Sequence, residues 1–103
     1  MKPEIIPGRV VISKKGRDKG RYFVVLLSLD ADFVMVSDGD TRRLDRLKKK
    51  RRKHLCPQPA EFPAIAEAYA AGTACDAQIR KALAPFRQGR QESDLGRDQS
   101  VQG

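Results

Sequence analysis

The side chains able to do chemistry in this chain are few, and most of them are cations. The 103 residues include one histidine, His54, and two cysteines, Cys56 and Cys75. One histidine, with no glycine–serine elbow and no Walker-type loop, argues against the common hydrolase and nucleotide-binding classes, so no catalytic residue is expected. Asp30, Asp32, Asp38 and Asp40 echo the start of an EF-hand. The remaining calcium ligands are missing, and Asp at turns commonly bonds local backbone. His54, Cys56 and the distant Cys75 lack the paired spacing of a zinc site, so neither metal nor cofactor is expected. The cysteines are expected to stay reduced in a cytoplasmic setting and to pack as small apolar groups.

What remains is positive charge in two places. Residues 14–21 read Lys14-Lys15-Gly16-Arg17-Asp18-Lys19-Gly20-Arg21, five cations in eight residues. Gly16 and Gly20 permit positive φ, which would let backbone N–H groups come close to a phosphate. Such contacts position a protein on nucleic acid without reading its sequence. The plain alternative is a solvated turn. Farther on, Lys48-Lys49-Lys50-Arg51-Arg52-Lys53 places six cations in a row, followed by His54. Adjacent like charges repel unless a polyanion neutralises them, and releasing counterions from several phosphates gives strong, salt-dependent binding. A localisation signal or a lipid-directed patch would have the same composition. No apolar partner face or lipidation signal supports the membrane version.

The elements that must hold these groups are short strands. After the turn at Pro7-Gly8, residues 9–13 are rich in β-branched side chains, and residues 21–29 and 33–37 read as two further strands. Asp38-Gly39 is a strong hairpin signal that predicts a strand over 41–44, with a last strand near His54-Leu55. Closely spaced strands with turn signals predict a mainly β domain, a five-stranded SH3-like barrel closed so that no sheet edge stays open. Alternation puts Tyr22 and Phe23 on opposite faces. Tyr22, Phe23 and Phe33 could stack on bases, but they lie in apolar strands where most are expected to be core, and Tyr22, beside Arg21, is the expected exposed one.

Composition shifts after Pro57-Gln58-Pro59. Phe62, Ile65, Ala66 and Tyr69 fall on one helical face, with a start expected near Ala60-Glu61 because Pro63 suits only the first turn. Gly72 stops that helix, and Thr73 is expected to cap a second one with Asp76 near its positive end. Ile79, Leu83 and Phe86 form the second stripe, which Pro85 ends or kinks. From Gln88 large apolar residues are too few to offset ordering entropy, which predicts a disordered tail. The expected organisation is a barrel over 1–56, a helical extension over 57–87 packed on or beside it, and the tail over 88–103.

Charge divides along the same boundary. Residues 1–55 hold 16 Lys/Arg against 7 Asp/Glu, a net of +9, and residues 56–103 hold 5 against 6, a net of −1. The field concentrates polyanions near the N-terminal half. Residues 1–9 contain two prolines and no long apolar run, which predicts no leader, and the longest apolar stretch, Tyr22–Leu27, is too short to span a bilayer.

The stretch Gly8-Arg9-Val10-Val11, then Gly16-Arg17-Asp18-Lys19-Gly20-Arg21, then Val24-Val25 resembles a KOW motif, the strand–loop–strand unit of ribosomal proteins and transcription elongation factors. With Val36-Ser37-Asp38-Gly39 and Arg42-Arg43, it is similar to the small-barrel KOW proteins of the archaeal and eukaryotic large ribosomal subunit and to their compact bacterial relatives. Tyr22-Phe23 stands where the generic motif has another glycine, which disfavours the elongation-factor branch. The resemblance covers about residues 7–55 and, more weakly, the helical stretch 73–86. It implies a barrel and RNA contact by Lys14, Lys15, Arg17, Lys19 and Arg21, with Gly16, Asp18 and Gly20 shaping the loop. Arg42, Arg43, Lys48, Lys49, Lys50, Arg51, Arg52, Lys53 and His54 extend the expected RNA-binding set. The expected protein is a non-catalytic, cytoplasmic RNA binder associated with rRNA or the large ribosomal subunit, with no membrane and no small-molecule substrate. A transcription-linked nucleic-acid binder and an SH3-like module gripping an acidic protein remain alternatives.

The strand pattern makes Val24 and Val36 core residues. Val24→Asp or Val36→Asp should therefore unfold the domain by burying an unpaired charge, seen as loss of the cooperative thermal transition.

Overall fold

The structure is a computed structural model that describes the backbone of residues 3–95 and the side chains of residues 3–87. Five antiparallel strands form one sheet: β1 (Arg9–Ser13), β2 (Tyr22–Ser28), β3 (Phe33–Ser37), β4 (Lys48–Arg51) and β5 (Leu55–Glu61). Their order is β4-β3-β2-β1-β5. A 3-10 turn, Arg52–His54, joins β4 to β5. Two helices follow, α1 (Pro63–Ala71) and α2 (Asp76–Leu95).

The β-branched runs become β1, β2 and β3 with the boundaries the sequence suggests, to within a residue. Alternation gives the sheet two apolar faces. Val11, Phe23, Val25, Val34, Val36 and Leu55 form one buried cluster. Val10, Val24 and Leu26 form another with Ile65 of α1 and Ile79 and Leu83 of α2. Leu26 joins the helix-side cluster by alternation from Val24, and a bulge between Val25 and Leu27 shifts the register beyond it so that Leu27 pairs with Met35. Fully burying a Val, Leu or Ile side chain contributes about 1.5–3 kcal/mol, so the helices contribute substantially to the core rather than decorating it.

Three strand expectations need correction. Residues 41–44 are not a strand. Asp38 accepts from the Asp40 amide (2.9 Å), the Arg42 amide (2.7 Å) and the Thr41 hydroxyl (2.7 Å), which rolls Asp38-Gly39 into a side-chain-capped loop. Helix α2 then takes the backbone groups a strand would need. Asp76 accepts from the Leu44 amide (2.7 Å), Arg80 donates to the Gly39 carbonyl (2.7 Å), and Arg87 donates to the Asp38 carbonyl (3.1 Å). Gly39, at φ +73°, lies so close to α2 that a Cβ would come within 2.6 Å of the Asp76 carbonyl oxygen. The fourth strand is instead Lys48–Arg51, inside the basic run. The fifth continues through Pro57 and Pro59 to Glu61, so the prolines mark an edge strand rather than a linker.

The sheet is not closed: β4 and β5 end the strand order, and no ladder joins them among the described residues. Prolines in β5 and cations in β4 guard the two edges instead.

Helix α1 starts at Pro63, two to three residues later than expected because β5 runs to Glu61. Gly72 ends it in the left-handed region at φ +78°. Thr73 does not cap α2; its hydroxyl donates to the Ala68 carbonyl (3.3 Å). The Gln78 side chain accepts from the Cys75 amide (3.0 Å). Pro85 does not end α2, which extends to Leu95, into the stretch expected to be disordered. The rest of that tail, residues 96–103, lies outside the described residues. Cys56 is half-buried on β5, but Cys75 is exposed before α2 rather than packed.

Asp38 is 1% exposed. Burial pushes its pKa up, but the Thr41 hydroxyl, the Arg42 and Asp40 amides and the charge of Arg21 outweigh it, holding the carboxyl below its ordinary 3.8. A lowered folded-state pKa contributes stability that is present above the unfolded value and lost as pH falls through the folded one. Asp38→Asn should therefore destabilise the protein at neutral pH by about 1–3 kcal/mol. In urea melts the gap between the two proteins should narrow as pH drops below about 4.

Candidate nucleic-acid interface

The β1–β2 loop is held in place from three sides. The Gly20 amide donates to the Ser13 carbonyl (2.8 Å), the Arg21 amide to Asp18 (2.8 Å), and the Lys19 amide to Gly16 (3.1 Å). Gly16 and Gly20 adopt φ of +78° and +87°. The glycines thus serve the loop's own bonding, and the amides of residues 19, 20 and 21 are already used rather than free for a phosphate. Lys14, Lys15, Arg17 and Lys19 are exposed. Any contact this loop makes to an anion falls mainly to those side chains.

Asp18 does more than shape the loop. Its Oδ2 lies 3.9 Å from Lys48 Nζ and 3.8 Å from Lys50 Nζ, so one carboxylate ties the β1–β2 loop to β4. The Lys50 side chain is only 10% exposed and has the buried valines of β3 beside it, its Cα paired with Val34. Lysine stems can cover apolar surface while the ammonium seeks a partner, and Asp18 supplies that partner.

Strand alternation sorts the six-cation run into separate tasks. Lys48 and Lys50 turn inward to Asp18. Lys49 and Arg51 turn outward, with Lys49 Nζ 4.4 Å and Arg51 Cζ 4.8 Å from the centre of the Phe33 ring. Arg52 is spent on the fold, donating to Asp30 O (3.0 Å), to Ile5 O (2.7 Å) and to the Ser28 hydroxyl. Lys53 is exposed and makes no ion pair among the described residues. The run is therefore not an unstructured polycation. Asp18, the Phe33 ring and backbone carbonyls give five of its six cations partners within the fold.

His54 joins the two basic regions. Its carbonyl accepts from the Lys14 amide (2.8 Å), bringing the 3-10 turn against the base of the loop. Partial burial, then the charges of Lys53, Lys15, Arg51 and Lys50, hold its imidazole below the ordinary 6.5, so it is largely neutral at physiological pH. Lys14, Lys15, Lys53 and His54 form one continuous surface around this junction, and Arg17 and Lys19 extend it along the loop.

Arg42 and Arg43 belong elsewhere. The Arg42 carbonyl closes the Asp38 loop, and Arg43 pairs with Asp76 at 3.4 Å at the start of α2. Arg21 is exposed and near enough to Asp38 to lower its pKa, which draws it toward that second cluster. Tyr22 is half-buried and stacks on Phe86 of α2 at 5.3 Å, so it is not an open stacking residue. Phe33 is the aromatic in the basic surface. The period-two pattern carried that signal, since Phe33 and Met35 must face opposite to the core residues Val34 and Val36.

No group of His, Cys, Asp and Glu among the described residues could hold a metal ion. No described helix is long and apolar enough to cross a membrane. No protein-family model matches the chain, and no curated protein matches it.

Asp18→Asn removes the charge that two lysines share, one of them nearly buried. It should lower stability by about 1–2 kcal/mol, less than for a fully buried close pair, measured as a shift in urea midpoint.

Proposed function

We propose that this protein is a non-catalytic RNA binder of the KOW type, ribosome- or rRNA-associated and cytoplasmic, built on an SH3-like barrel. The barrel reading is supported by the strand order and by the one-turn 3-10 link between β4 and β5. Leu55 of β5 also shares a buried cluster with Val34 and Val36 of β3. Those strands are separated by two others in the sheet, so one cluster spanning them is what a curled sheet would produce.

One observation carries the RNA-binding reading. The Lys14 amide bond to His54 sets the exposed cations of the loop beside Lys53, while Arg9, Arg43, Lys48 and Lys50 are held in ion pairs within the fold. Lys14, Lys15, Arg17, Lys19 and Lys53 can each approach a phosphate without breaking a contact that stabilises the domain. Such a surface follows a backbone and positions it, with specificity coming from RNA shape. The preference for RNA over DNA, and for the large ribosomal subunit, comes from the KOW resemblance and not from the charge.

Lys19→Glu should leave the melting temperature nearly unchanged and weaken binding to structured rRNA fragments, with a shallower salt slope than the parent protein. Titration in rising salt and co-sedimentation with ribosomal subunits measure both. Binding insensitive to salt, or absent for every nucleic acid tested, overturns the proposal. Binding to DNA equal to RNA, with no subunit association, favours the transcription-linked alternative.

A further inference from the structure

The outer face of the β2–β3–β4 region is only half covered. Helices α1 and α2 pack over Val10, Val24 and Leu26. Beyond the β2 bulge the same face carries Leu27, which is 42% exposed, and its cross-strand partner Met35, which is half-buried. Phe33 follows two residues before Met35, opposite Arg51 in the β3–β4 register, and belongs to neither core cluster. This is an apolar strip ending in an aromatic ring. Lys49 and Arg51 stand over that ring at 4.4 and 4.8 Å. Beside it, Ala31, Asp32, Arg51, Arg52 and Lys53 line a recess of about 230 Å³, with three cationic residues against one carboxylate.

We infer that Phe33 is a stacking platform for an unpaired nucleotide, with Lys49, Arg51 and Lys53 taking the flanking phosphates. The inference rests on the RNA-binding reading above and narrows its ligand from any backbone to RNA with unpaired bases. A nucleotide is the ligand that joins a flat π-face to an anion at short range, and the site offers an aromatic face and a cationic recess that share Arg51. An exposed cation–π contact is weaker than a base–aromatic stack. An arriving base therefore displaces the two side chains from the ring and leaves their charges beside its phosphates. The strip is also continuous with the proposed backbone surface, since Arg51 leads directly through Lys53 to His54 and the Lys14 contact. A base inside an A-form duplex presents no free π-face, so duplex RNA gains nothing from Phe33.

The test compares an unstructured oligouridine of about 12 nucleotides with a fully paired RNA duplex, by fluorescence anisotropy at fixed low salt, for the parent protein, Phe33→Leu and Lys19→Glu. Phe33→Leu should weaken oligouridine binding roughly 5- to 150-fold and change duplex binding by less than about twofold. Lys19→Glu should weaken both. Unchanged oligouridine affinity in Phe33→Leu, or equal losses on both RNAs, overturns the platform. If Lys19→Glu still shows its loss, the backbone reading survives that result. If the parent binds neither RNA but binds an acidic peptide through Phe33, both proposals fall. Photocrosslinking of the unaltered chain to 4-thiouridine RNA gives a check independent of any variant's folding. Adducts at Phe33 or Met35 support the platform, and adducts confined to residues 14–21 overturn it.

Discussion

One carboxylate shared by two ammonium groups is the contact on which the arrangement of this small protein turns. A strand composed of Lys-Lys-Lys-Arg has poor β propensity and an outward repulsion along its length. It can close the end of the sheet because alternation halves the problem, sending Lys48 and Lys50 to Asp18 and Lys49 and Arg51 to Phe33. Asp18 belongs to the β1–β2 loop, so the same contact that makes β4 tolerable also fixes the loop. Binding surface and fold stability therefore share a residue. Lys50, nearly buried, would otherwise leave an unpaired charge beside Val34.

A second constraint acts on the opposite side of the sheet. Helix α2 presents Asp76, Arg80 and Arg87 to the backbone of the 38–44 loop, and that loop hardens around the buried Asp38 carboxylate. Leu44 and Leu47 then pack against the helix-side cluster rather than extending a strand. The helices also supply Ile65, Ile79 and Leu83 to the core. A domain of this size buries limited apolar surface, so the two-sided sheet with helices on one face is how the chain reaches an adequate core.

These two constraints leave the cations unequal. Arg9 is nearly buried, donating to the carbonyls of Glu4 and Pro59, and Arg52 is half-buried and bonded to Ile5, Asp30 and Ser28. Both hold the N-terminal segment to the sheet. Arg43 serves α2. The loop lysines with Arg17 and Lys53 keep open charge, and they meet at the His54 junction. The formal charge of +8 is thus unevenly available, with ion pairs taking up Arg9, Arg43, Lys48 and Lys50.

The sequence alone determined β1, β2 and β3, because β-branched runs alternate against a core and glycine or aspartate ends them. It determined both helix stripes, since Ile65, Ile79 and Leu83 recur at helical spacing, and it showed the charge asymmetry and the loop's composition. Tertiary structure decided the rest. The KKKR strand carries no apolar alternation, and its partners Asp18 and Phe33 lie 30 and 15 residues before Lys48, so no local pattern reveals it. The Asp38-Gly39 signal for a hairpin was overridden by Asp76, Arg80 and Arg87, whose approach depends on how α2 packs. Which cations remain free is likewise set by contacts distant in sequence. Local propensity writes the elements, but charge is neutralised through space, and only the folded chain determines which lysine meets which carboxylate.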